Sequence, residues 1–121
     1  MTTILVTGAT GFVGSALVPV LLDAGHDVRC LTRDPSGLDD APWHDRVEVA
    51  HGDVRDWVSL DTAMAGVDRA VYLVHGMDTS PGRLVDREIE MARTFRDAAE
   101  RARLDQLVYL GGLVDDDAVT T

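Results

Sequence analysis

The chain has 121 residues, 45% of them hydrophobic, and a formal net charge of −10. That length suits one domain with a buried core. The charge argues against nucleic acid and anionic membrane as partners, and no apolar run reaches the ~18 residues of a membrane span. All eleven basic residues are arginine and lysine is absent. Cys30 is the single cysteine, so no internal disulfide can form, and a cytoplasmic setting is expected. Met1 to Val6 lacks the charged end and long apolar stretch of a signal peptide.

Thr3 to Thr7 is an apolar, β-branched run that reads as a buried parallel strand. Phe12 to Ala24 has helical spacing, with Val13, Ala16, Leu17, Val20, Leu21 and Ala24 on the expected inner face. Pro19 predicts a kink there, and Gly25 ends the helix. Asp27 to Thr32 is the second strand, with Cys30 pointing inward. Arg33 to Arg46 is polar and carries two prolines, which predicts a loop with about one helical turn. Val47 to His51 is a third strand, and Asp56 to Ala65 a short helix stopped by Gly66. Ala70 to His75 is a fourth strand and Gly76 to Gly82 a loop. Leu84 to Arg103 is the longest helix, with Val85, Ile89, Ala92, Phe95, Ala99 and Ala102 inward. Gln106 to Leu110 is the fifth strand.

Strands alternating with helices predict an α/β, three-layer Rossmann fold. About five parallel strands are expected in the order 3-2-1-4-5, with ligands bound at the switch point between strands 1 and 4. The loop Thr7-Gly8-Ala9-Thr10-Gly11-Phe12-Val13-Gly14 leaves strand 1 and opens the first helix. Gly8 allows the tight turn. Gly11 lets a pyrophosphate approach the backbone, and Gly14 lets the helix pack closely. Amides around Gly11 to Val13 point at the phosphates, aided by the helix dipole. Gly8, Thr10, Gly11, Phe12, Val13 and Gly14 are therefore the phosphate-binding candidates for a nicotinamide dinucleotide. His26, His44 and His51 share no ligand-like spacing, so no metal site is expected.

The same loop resembles the signature of the extended and atypical short-chain dehydrogenase/reductases. Leu31-Thr32-Arg33-Asp34, Gly52-Asp53-Val54-Arg55-Asp56, Val71 to His75 and Val108 to Gly112 match in order. The likeness is strongest to the NmrA-like, NAD(P)H-binding branch, which includes epimerase-like proteins of nucleoside-diphosphate sugars. The resemblance implies that Asp53 accepts a hydrogen bond from the adenine amino group and that Val54 contacts the ring. Arg33 follows strand 2, where it can pair with a 2′-phosphate and favour NADP over NAD. Asp34 beside it is the competing acid. Val74 and His75 end strand 4 and border the cofactor ribose, with an acid–base role for His75 as the alternative to a structural one.

The family's Tyr-x-x-x-Lys pair is absent, since Gly76 follows Tyr72 at that spacing and Leu113 follows Tyr109. Related proteins continue past strand 5 into a substrate lobe, so the chain matches their N-terminal part. Three readings stay open at this point. One is the cofactor half of an oxidoreductase or epimerase-like protein. Another is a non-catalytic NAD(P) sensor, and the third is a domain that has lost the cofactor. A homodimer through the long helix is the association the resemblance implies.

Overall fold

The computed structural model describes residues 2–9, 11–73 and 81–110, leaving aside the side chains of 12, 81–88 and 110. Ten elements follow in chain order. They are β1 (Thr3–Thr7), α1 (Phe12–Asp23), β2 (Asp27–Thr32), two 3-10 turns (Pro35–Leu38 and His44–Arg46), β3 (Glu48–His51), α2 (Trp57–Ala63), β4 (Arg69–Leu73), α3 (Pro81–Arg101) and β5 (Gln106–Leu110). The strands form one parallel sheet in the order β3-β2-β1-β4-β5. This is the Rossmann arrangement expected from the alternation of elements.

Side chains alternate across a strand, so the central strands β1, β2 and β4 feed two cores. On one face Leu5, Leu31, Ala70 and Tyr72 pack with Leu60, Met64 and Phe95 from α2 and α3. On the other, Ile4, Val6, Val28, Cys30, Val71 and Leu73 pack with Val18 of α1 and with Leu38 and Trp43. Helices on both faces complete three layers. Tyr72 stacks on Phe95 with ring centroids 4.8 Å apart, and on Tyr109 at 5.4 Å.

Arg29 ties the sheet to the end of α2. Its guanidinium pairs with Glu48 at 3.0 Å and donates to the carbonyls of Ala63 and Ala65. Ala63 ends α2, where a carbonyl has no acceptor duty left inside the helix, and Ala65 lies just past its cap.

Several expectations are corrected. Val13 and Val20 are 53% and 62% exposed, and the buried positions of α1 are Gly14 and Val18. The helix is apolar on most of its circumference, so spacing could not select the inner side. α3 begins at Pro81, inside the segment expected to be a loop, because proline is favoured where a first-turn N–H has no acceptor. The segment after β2 is less loop-like than expected, with Leu38 and Trp43 anchored in the core. Among the described residues no helix is long and apolar enough to cross a membrane.

Candidate functional site

In a parallel sheet all carboxyl ends face one way, and here those ends carry the candidate residues. Thr7 of β1 is in register with Leu31 of β2, and Thr32 of β2 with His51 of β3. The turns after β1, β2 and β3 therefore leave the sheet side by side. On the other flank, the β1–β4 ladder runs from Ile4↔Arg69 to Val6↔Val71.

The turn after β1 is built by glycines. Gly8 has φ +75°, a left-handed conformation that side chains resist. Gly14 sits in the first turn of α1 against that loop. A Cβ placed there would lie 2.1 Å from the Gly8 carbonyl oxygen and 2.7 Å from the Ala9 Cα. No side chain fits, so the spacing of Gly8 and Gly14 holds the helix N-terminus against the strand end. Gly11 is the N-cap, with φ −80° and ψ 177°, a conformation open to any residue. Its N–H donates to the Gly8 carbonyl at 3.0 Å, so it is spent on the turn and is not the free amide that was expected. The first-turn N–H groups of Phe12, Val13 and Gly14 lack acceptors within the helix by geometry. Unpaired first-turn donors and the helix dipole make such an end favourable for an anion.

Arg33 follows β2 and is exposed. The imidazole Nε2 of His51 lies 3.0 Å from the Arg33 carbonyl, which pins that turn to the end of β3. Asp34 is the N-cap of the first 3-10 turn, where its Oδ1 accepts from the Ser36 N–H at 3.2 Å and the Ser36 hydroxyl at 2.6 Å.

Asp53 lies just past β3. Its carboxylate accepts from the N–H of Arg55 at 2.9 Å and is gripped by the Arg55 guanidinium, with Nη2 2.8 Å from Oδ2. Arg55 holds the Asp53 carboxyl below its ordinary range through that hydrogen bond, and the charge of Arg33 adds to the effect. Arg33 and Asp53 are thus brought into one electrostatic neighbourhood. The Asp53 backbone is fixed by α2, since its N–H donates to Ser59 Oγ at 3.1 Å and its carbonyl accepts from the Asp56 N–H at 2.9 Å. Val54 packs half-buried against the α2–α3 core.

Thr10, Val74 and His75 lie outside the described residues, as do Gly111 and Gly112. Sequence reasoning missed His51, Arg55 and Ser59. Only Arg55 carried a signal, being two residues from a candidate acid in a turn. Tyr72 is a core residue stacked on Phe95, consistent with the absence of a lysine partner.

Comparison with known proteins gives the same outline. A family model described as NAD(P)H-binding matches residues 8–121. A 3-beta-hydroxysteroid dehydrogenase of Mycolicibacterium neoaurum is 33% identical over 115 residues, covering 88% of this chain and 31% of that protein. The Citrobacter triphenylmethane reductase, solved with NADP(H), is 27% identical with a TM-score of 0.70, covering 88% of this chain and 36% of that one. A short-chain dehydrogenase/reductase superfamily protein of Agrobacterium tumefaciens, solved with NAD, is 32% identical with a TM-score of 0.71, over 88% of this chain and 31% of that one. The chain spans about a third of the length of the curated relatives it matches. The chain belongs to the NAD(P)H-binding family and is a dinucleotide-binding domain of the short-chain dehydrogenase/reductase type.

Proposed function

We propose that the chain prefers the phosphorylated cofactor, NADP(H), and serves as the cofactor half of an oxidoreductase. The observation that carries the preference is the position of Asp34. An acid after β2 favours NAD when it can accept from the ribose 2′-hydroxyl. Here one oxygen of that acid is taken up by Ser36, while Arg33 stands exposed beside it. Arg33 is then the group for a 2′-phosphate, which a guanidinium can bind with two parallel hydrogen bonds.

The pyrophosphate lies on the N–H groups of Phe12 and Val13, with Gly11 letting it approach the backbone, Gly8 making the turn and Gly14 the close packing of the helix; Thr10 of the same loop belongs to the proposed set. The glycine cradle supports this, because its backbone packing leaves no room for a side chain at Gly14. Asp53 accepts from the adenine amino group, Val54 borders the ring, and Val74 and His75 are the proposed neighbours of the cofactor ribose. When bound, the cofactor supplies the hydride, and the chain contributes placement. A carbonyl-to-hydroxyl exchange is the reaction proposed, as the dehydrogenase relative's name describes for its own substrate.

Calorimetric titration with NADPH, NADP, NADH and NAD tests the reading. Tighter binding of the phosphorylated pair is expected. Equal affinities would remove Arg33 from the site, and absence of binding by the folded chain would sink the cofactor assignment of these residues.

A further inference from the structure

We infer that Arg55 is a positioning residue for adenine recognition: its guanidinium and its own backbone N–H hold the Asp53 carboxylate in one orientation, leaving one acceptor position for a purine amino group. This rests on the reading of Asp53 given above.

The acceptor sites can be counted. A carboxylate offers about four. Arg55 brings three N–H groups: its backbone N–H to Oδ1 at 2.9 Å, Nη2 to Oδ2 at 2.8 Å, and Nε shared between the two oxygens at 3.1 and 3.2 Å. One acceptor position of the carboxylate is left, and this grip determines where it points.

The backbone beneath is held as firmly. The Asp53 N–H and carbonyl are both engaged by residues at the start of α2, so neither the main chain nor the side chain of Asp53 turns independently. A flexible acceptor would lose rotamer freedom on binding, and a pre-ordered one has none left to lose. The pair has little value as a stabilising contact, because the side chains of Arg55 and Asp53 are 64% and 27% exposed and such pairs are well screened. Its consequence lies in orientation. Arg55 also lowers the pH at which the carboxylate takes up a proton, and a charged acceptor bonds an N–H more strongly than a neutral one.

The test is calorimetric titration with NADPH and with its hypoxanthine analogue, which carries a carbonyl in place of the amino group. The wild-type chain is expected to favour the adenine form about tenfold. Arg55→Ala is expected to cut that ratio to about threefold or less, with an unchanged melting midpoint. Arg55→Lys restores the charge without the fork and is expected to fall between. Acidification should erase the adenine preference at a higher pH in Arg55→Ala than in the wild type. An unchanged ratio in both variants overturns the inference and leaves Asp53 as the acceptor. Equal wild-type affinity for the two forms removes the Asp53 reading and the inference together. No binding of either form rejects the dinucleotide site itself.

Discussion

The backbone N–H of Leu73 donates to the hydroxyl of Thr7 at 3.1 Å, across the place where β1 and β4 part. Thr7 is the buried polar side chain of the described core. The hydroxyl takes over where the β1–β4 ladder stops at Val6↔Val71, so the crevice opens without leaving a buried donor unpaired.

Thr7→Val keeps the shape and removes that acceptor. The expected cost is about 1–3 kcal/mol, the penalty for an orphaned buried N–H. Urea denaturation measures it, and Thr7→Ser should recover most of the loss.

Gly14→Ala is expected to do more damage than an alanine in a helix usually does. Its Cβ would meet the Gly8 carbonyl oxygen at 2.1 Å, so helix and loop must separate. A destabilisation of about 3 kcal/mol is expected, together with weaker dinucleotide binding. Chemical denaturation and titration report the two effects separately. Wild-type stability in this variant would mean that the helix can slide away at no cost.

Arg33→Ala should lower affinity for NADPH about tenfold and leave NADH unchanged, the loss expected for a charged hydrogen bond to phosphate. The difference should shrink as salt rises. Parallel losses for both cofactors would point to a fault in the turn after β2, and His51→Ala would then show the same pattern.

Cys30 lies in the α1-side core, and burial pushes its thiol up to about 12 from an ordinary value of 9.0. Below pH 9 both folded and unfolded chains keep the proton, and the thiol adds no pH dependence. Above it the unfolded chain ionises first, so stability should fall as pH rises from about 9 towards 12. Cys30→Ala should flatten that part of the curve. Iodoacetamide should leave native Cys30 unmodified at pH 8, because the reactive thiolate does not form there.

Strand order was legible because each strand is a compact apolar run between turn residues, and connection rules then leave few topologies. The glycine loop was legible because its requirement is local: Gly8 and Gly14 meet within one turn. Less could be seen wherever a choice depended on tertiary neighbours. Val13 and Val18 are equally apolar, and only the position of the sheet decides which one is buried. Trp43 looked like loop until the core beneath it was in place. Ser59 acts across a helix start and His51 across two strands. Neither relation leaves a mark in residue spacing.

The two tryptophans sit in opposite surroundings. Trp43 is 5% exposed in the α1-side core, and Trp57 is 59% exposed with the Arg101 guanidinium 5.7 Å from its ring centre. Their light emission should therefore separate. Acrylamide would silence Trp57 and leave a blue-shifted signal from Trp43 alone. That residue lies in the connection between β2 and β3, which begins with Arg33. The protein thus holds its own lamp in the connection that starts at Arg33, and loosening of that connection could be watched without a label.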